Sequence, residues 1–283
     1  MKKVFLFLLT YVLVLTSFGQ EVATQNDFEQ LKADFLNPHS SRILVASHRA
    51  VHHEYPENSI PAVQQAIEQG VDIIEIDVKV SEDGMAFLMH DRTIDRTTTG
   101  KGDPEKMSWK ELQKLSLVHD GKVTPYKIPT LEEILLLSKG KILVDLDLKT
   151  SEIDQVIEIV EKTGTEGNVF FFDSEYEVLK KVQEANPDFM IMPRAYSLPM
   201  ADSALQLFSP EVVHIDFSFY DDKTVELIKS HDARVWINAL GDPDDALQAG
   251  KAEETLEKLL EYGANIIQTD YPVEWMQHLS SGE

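Results

Sequence analysis

Glu75, Asp77 and His90 stand in one short stretch, Ile73 to Asp91 (I-I-E-I-D-V-K-V-S-E-D-G-M-A-F-L-M-H-D), at spacings that backbone geometry can bring together. Side chains alternate along a strand, so Glu75, Asp77 and Lys79 share one face while Ile74, Ile76 and Val78 take the other. Asp83-Gly84 is the dipeptide favoured for a tight two-residue turn, because its positions need positive φ. A hairpin closed there sets His90 directly across from Asp77 on the same face, and two carboxylates and an imidazole converge. An exposed hairpin with a charged outer face is the commoner fate of such residues. The flanking Ile73, Ile74, Ile76 and Val78 nevertheless make the acids half-buried, and half-buried acids need a partner.

The same pattern of polar residues at strand ends recurs along the chain. His48-Arg49 follows the apolar run Ile43 to Ser47, and Asp145, Asp147 and Lys149 alternate onto one face where the run Ile142 to Leu148 ends. Trp236 and Asn238 end a later strand, and Thr269-Asp270 ends the last. Acids separated by one residue on neighbouring strands, in a chain without thiols, suit a hard, oxygen-preferring divalent cation, Mg2+ or Ca2+. Taken alone, Asp145 and Asp147 also fit a strand-end pair bonded to Lys149 or to loop amides, and His48 a strand-end histidine bonded to a neighbour. Two histidines, four acids and two bases at one rim shift the balance to catalysis. A cation with Arg49 and Lys149 would neutralise a phosphate, one histidine would take a proton from an attacking oxygen, and the other would give one to a leaving alcohol. The reaction these parts suggest is attack on a phosphodiester. No G-x-S-x-G is present, so a serine hydrolase has no support.

The elements that must position these residues follow one rhythm. A short leading helix is expected over Thr24 to Phe35 and a helix from Asn58, closed by Gly70. After the hairpin, a polar excursion of roughly residues 92–127 holds one short helix begun by the Ser108-x-x-Glu111 capping box; Thr130 and Glu133 start the next helix in the same way. Helices over Glu152 to Lys162, Glu175 to Ala185 (behind a Ser174-x-x-Glu177 box), around Met200 to Phe208, Lys223 to Ser230 and Glu253 to Tyr262 follow. Strands at Val169 to Phe172, Phe189 to Met192, Val212 to Phe217, Arg234 to Asn238 and Asn265 to Gln268 separate them, and a helix after Pro272 closes the chain. About eight strands separated by helices predict an α/β fold of the TIM-type (β/α)8 class, with a small inserted segment after the second-strand hairpin. In such a barrel function gathers at the C-terminal ends of the strands. An open doubly wound sheet is the alternative, but no G-x-G-x-x-G or G-x-x-x-x-G-K-[ST] follows any strand.

Composition narrows the partners. The chain has 283 residues, 43% hydrophobic, with 49 acidic against 26 basic residues and a net charge of -23. That charge argues against nucleic acid and anionic lipid as partners and favours a divalent cation. The absence of cysteine excludes disulfides, thiolate metal sites and a lipid-modified N-terminal cysteine. Lys2-Lys3, an apolar run from Val4 to Leu15 and the small residues Ser17 and Gly19 read as a cleaved signal peptide over residues 1–19, with a single domain over 20–283. The apolar run is shorter than the ~20 residues a membrane span needs. A secreted or periplasmic protein with no stable membrane anchor after cleavage is expected.

An ordered series of motifs from Ser47 to Pro272 resembles the glycerophosphodiester phosphodiesterase family, within the phospholipase C-like barrel phosphodiesterases. The series is S-H-R at 47–49, P-E-N-S at 56–59, E-I-D-V at 75–78, D-G at 83–84, H-D at 90–91, D-R-T-T at 95–98, I-P-T-L-E-E at 128–133, D-L-K at 147–149, V-W-I-N at 235–238 and Q-T-D-Y-P at 268–272. The resemblance implies hydrolysis of small-molecule glycerophosphodiesters to glycerol 3-phosphate and an alcohol. It implies His48 and His90 as an acid–base pair, Glu75, Asp77 and Asp147 as metal ligands, and Arg49 and Lys149 as phosphate binders. It also implies attack by the glycerol 2-hydroxyl, which gains from proximity. Trp236 is a candidate substrate-pocket wall or plain packing. Glu57 and Asp145 are secondary candidates, Glu57 reading first as a loop acid near a helix start. Two departures stand out: Ala50 where the family usually has Gly, and Asp147 where it usually has Glu. A related barrel phosphodiesterase acting on lysophospholipids, and a binding barrel that has lost turnover, are the competing readings.

Overall fold

The computed structural model describes residues 27–281. The expected signal segment, and the part of the leading helix before residue 27, lie outside them. Helix α1 covers residues 27–35. It is followed by β1 (Leu44–Ser47), α2 (Ile60–Glu68), β2 (Ile73–Val80) and β3 (Ala86–Leu88), then by an excursion holding α3 (Trp109–Leu112), β4 (Val118–His119) and β5 (Lys122–Val123). Next come α4 (Leu131–Ser138), β6 (Leu143–Leu148), α5 (Ile153–Thr163), β7 (Val169–Asp173), α6 (Tyr176–Ala185), β8 (Met190–Pro193), α7 (Leu198–Phe208) and β9 (Val212–His214). The chain ends with α8 (Asp222–Ser230), β10 (Arg234–Asn238), α9 (Asp242–Gln248), α10 (Ala252–Leu260), β11 (Ile266–Thr269) and α11 (Pro272–Ser281).

Eight of these strands are parallel neighbours in the order β8-β7-β6-β2-β1-β11-β10-β9. The two ends of the sheet meet through a single parallel bridge, Arg194 with His214, supported by the Ala195 N–H donating to the His214 carbonyl at 2.9 Å. The result is a nearly closed (β/α)8 barrel, as the alternation of strand and helix predicts. Alternation also sorts the side chains. Outward-facing Ile74, Ile76 and Val78 of β2 and Val144, Leu146 and Leu148 of β6 pack under α2, α4 and α5. Inward-facing Ile73, Leu143, Phe170, Trp236 and Ile266 fill the barrel floor together with Phe28, Leu31 and Phe35 of α1. Each such side chain is worth about 1.5–3 kcal/mol once buried.

Arg234, with no exposed surface, fastens α1 beneath the floor. Its guanidinium donates to the carbonyls of Asp34 at 2.6 Å, Phe35 at 3.0 Å, Asn37 at 3.2 Å and Asn265 at 2.9 Å. These include carbonyls at the C-terminal end of α1, where a cation is favoured.

Several expected details differ. β3 pairs with β2 so that Val78 faces Leu88. Asp77 therefore faces Met89, whose N–H donates to the Asp77 carbonyl at 2.9 Å, and not His90. The connection is not a two-residue turn: it runs from Ser81 to Met85, closed by Ser81 N–H to Met85 carbonyl at 2.9 Å and braced by the Ser81 hydroxyl on Asp83 at 2.7 Å. The longer loop slips the register by one residue. The Ser174 box does not form; Asp173 accepts the Glu175 N–H at 2.8 Å in its place. β9 stops at His214 and gives way to a 3-10 turn at Phe217–Phe219, and α9 forms in an acidic stretch where no element was expected. The Ser108 and Thr130 boxes do form, with Glu111 accepting the Ser108 N–H at 3.0 Å and Glu133 the Thr130 N–H at 2.8 Å.

Candidate active site

Above the apolar floor the inward positions turn polar, and the C-terminal strand ends enclose a cavity of about 150 Å³ lined by His48, Glu75, Asp77, His90, Asp145 and Asp147, among others. Parallel pairing of β2 with β6 sets Glu75 beside Asp145 and Asp77 beside Asp147. Oxygens of Glu75, Asp77 and Asp147 all lie within 4.8 Å of one another. The shorter Asp147 thus reaches the cluster. Burial, then the charges of Asp77, Asp147 and Asp145, push the Glu75 carboxyl well above its usual range. Asp145 is raised well above its usual value by burial and Asp147, and Asp147 is pushed up to about 6, by burial first, although Lys149 opposes it. Asp77 Oδ1 and Asp145 Oδ1 are buried without hydrogen-bond partners among the described residues. Surplus negative charge with orphaned oxygens is the environment a hard divalent cation satisfies, so the residues fit such an ion.

Two histidines face this cluster from separate elements. His48 continues β1, and its Nδ1 pairs with Asp270 at 2.8 Å at the end of β11. His90 lies just past β3, and its Nδ1 pairs with Asp91 at 2.8 Å. Their convergence does not need the expected register. β1 pairs with β2 only as far as Ser47, and β3 then takes over the same edge of β2, running back toward the end of β1. Each carboxylate fixes one ring nitrogen and leaves Nε2 for the cavity. Asp270 is held below its usual range because the His48 hydrogen bond and nearby charges outweigh burial, which acts the other way. Asp91 is lowered by the Arg96 hydrogen bond above all.

The β1–α2 loop is strained into place. Arg49, Ala50 and Asn58 take φ of 54°, 63° and 52°, a region L-residues avoid. Ala50, where the resemblance leads to an expectation of Gly, thus takes a left-handed conformation that favours glycine. The Arg49 N–H donates to Glu75 at 2.8 Å, and Asn58 clasps Asp77, donating to its carboxylate at 2.7 Å and accepting its backbone N–H at 3.1 Å. Asn58 was not among the sequence candidates, although the P-E-N-S motif contains it. Lys149 Nζ lies 2.6 Å from Asp147 and 3.6 Å from Asp77. The Arg49 guanidinium is 3.5 Å from Asp77 and 2.9 Å from Glu57.

Two sequence candidates sit elsewhere. Trp236 is fully buried in the barrel floor, 6.1 Å from the Phe170 ring, and does not line the cavity. Its position on β10 is one inward layer below Asn238, which does. Glu57 is an ionic clamp, bonded to Arg49 at 2.9 Å and to Arg96 at 2.6 Å, outside the cavity. Arg194 and His214, which the sequence did not single out, line the opposite wall. A cavity of about 920 Å³ adjoins the first, sharing Asn238 and Leu240 and lined farther on by Phe217, Tyr220 and Leu259.

A barrel whose mouth sets clustered acids and two carboxylate-backed imidazoles beside a lysine is the architecture of a barrel phosphodiesterase. The model of the "Glycerophosphoryl diester phosphodiesterase family" matches residues 48–274, and the chain belongs to that family, whose members are phosphoric diester hydrolases. A glycerophosphodiester phosphodiesterase from Caldanaerobacter subterraneus subsp. tengcongensis is 30% identical over 159 residues, which cover 53% of this chain and 65% of that one. An Oleispira antarctica phosphodiesterase, solved in complex with the product sn-glycerol-3-phosphate, superimposes with a TM-score of 0.73 at 26% identity, covering 84% of this chain and 96% of that one. A glycerophosphoryl diester phosphodiesterase from Parabacteroides distasonis shares the fold with a TM-score of 0.77 at 22% identity, covering 90% and 92%.

Proposed function

We propose that the protein hydrolyses glycerophosphodiesters to glycerol 3-phosphate and an alcohol, with a divalent cation, Mg2+ or Ca2+, and two histidines as the proton-transfer pair. The observation that carries this reading is the pairing of His48 with Asp270 and His90 with Asp91 in the cavity that one carboxylate cluster lines. Glu75, Asp77 and Asp147 would hold the cation, which when bound supplies charge neutralisation at the phosphate. Lys149, at the rim of the cluster, adds a fixed positive charge toward a phosphate oxygen. One imidazole takes a proton at Nε2 from the attacking hydroxyl and the other, protonated, gives one to the leaving alcohol. With the glycerol 2-hydroxyl as attacking group, the site need only align atoms already tethered; water then opens the cyclic phosphate so formed, the two imidazoles exchanging roles, to give glycerol 3-phosphate.

The test is a panel of glycerophosphodiesters with and without chelator. Release of glycerol 3-phosphate that chelator abolishes is expected, and His48→Ala and His90→Ala are each expected to lose turnover while keeping metal affinity. Normal turnover by either variant sinks the acid–base assignment. The adjoining 920 Å³ cavity, with Phe217, Leu240 and Leu259 on its walls, favours a second reading in which a lysophospholipid is also cut. Comparing intact lysolipid with glycerophosphocholine separates the two. Tight phosphodiester binding without release of any product would indicate a binding barrel. The reading includes export, as secreted or periplasmic protein, from the segment at residues 1–19; N-terminal sequencing of exported protein tests it.

A further inference from the structure

One wall of the mouth is left unused by the chemistry above. His214 ends β9 at 3% exposure, lines the same cavity as Glu75 and His90, and neither of its ring nitrogens has a hydrogen-bond partner among the described residues. The ring is fixed by Phe172 at 5.3 Å and Trp236 at 6.1 Å between centroids. Packing alone does not account for it, since burying two unpaired polar atoms is costly and an apolar ring fills the same space. Beside it Arg194 bonds Asp216 at 2.5 Å and keeps its own Nε unpartnered. Burial, then the Arg194 charge, hold His214 neutral, far below the usual imidazole range. A neutral imidazole offers one donor and one bare acceptor. A hydroxyl complements both; a phosphate oxygen accepts only, and a quaternary ammonium does neither.

Resting on the glycerophosphodiester reading, we infer that His214, backed by Arg194, is a specificity residue that holds the free hydroxyls of the substrate's glycerol. Size agrees with this placement. The cavity of about 150 Å³ admits a group of glycerol's dimensions, and the variable alcohol passes Asn238 and Leu240 into the larger adjoining space. The small, fully polar end of the diester is thereby read, and the other end is not.

Calorimetry with glycerol 3-phosphate and propyl phosphate, in the presence of Mg2+, tests the assignment. Wild-type protein is expected to prefer glycerol 3-phosphate by about ten-fold or more, the discrimination that one or two hydrogen bonds supply. His214→Phe keeps the ring and its stacking; it should bind propyl phosphate within about two-fold of wild type and lose the preference. His214→Gln, with a donor and an acceptor, should recover part of it. Equal affinity of wild-type protein for the two ligands overturns the inference, as does a preference that survives in His214→Phe. If His214→Phe does not fold, the wild-type comparison and His214→Gln still decide. A preference without turnover sinks the catalytic reading and leaves this one standing; turnover without a preference does the reverse.

Discussion

Asp270 and Asp91 decide which nitrogen of each imidazole carries a proton, because each accepts at Nδ1 from 2.8 Å away. Asp270→Asn offers an amide in place of the carboxylate and allows the wrong tautomer of His48. It is expected to lower kcat by about 10²–10⁴ with metal affinity unchanged in titrations. The acid cluster sets a pH dependence of its own. In the presence of chelator Glu75, Asp145 and Asp147, the last at about 6, hold protons more tightly when folded than an unfolded carboxyl near ~4 does. The folded chain thus binds more protons across that window, and stability falls as pH rises from about 4 to 6. Metal binding needs the ionised forms, so the gain in Tm on adding Mg2+ or Ca2+ should be larger at pH 8 than at pH 5. An equal gain at both removes these acids as the site. The acids were legible in the sequence because strand alternation fixes their faces. Asn58, Arg194 and His214 were not, since each is a lone polar residue whose partner or cavity comes from a distant element.

At the scale of elements, the clamp beneath the barrel is the most exacting feature. Arg234→Met leaves carbonyls at the end of α1 buried and unpaired, and should cost about 3–5 kcal/mol in a urea unfolding experiment. Activity of the remaining folded protein should be unaltered, because the substituted side chain lies on the far side of the floor from the mouth. The β2–β3 hairpin shows where local reading stops. Asp83-Gly84 does mark the turn, yet Ser81 and Asp83 brace a longer loop, and the slip puts Met89 where His90 was expected. His90 reaches the mouth because of where β3 lies, on the edge β1 vacates, a tertiary fact that no turn rule contains. α9 has no apolar periodicity to announce it, since three of its first four residues are acidic, but acids suit a helix N-terminus.

Over the whole molecule, the barrel was legible from rhythm alone, since helices separate the eight strands that form it. The place of its seam was not, because β8 and β9 meet by one bridge at Arg194 and His214, two residues with no local signal of pairing. That seam should be the first part of the sheet to open, so the Ala195 amide is expected to exchange hydrogen faster than amides shared by β2 and β6. Uniform protection around the barrel would rule this out. The clamp on α1 bears on how the chain is made. Asp34 and Arg234 are 200 residues apart, so α1 leaves the ribosome long before the guanidinium that fastens it exists. Synthesis and locking proceed in opposite order, and α1 waits unlatched through most of the chain's synthesis until β10 follows.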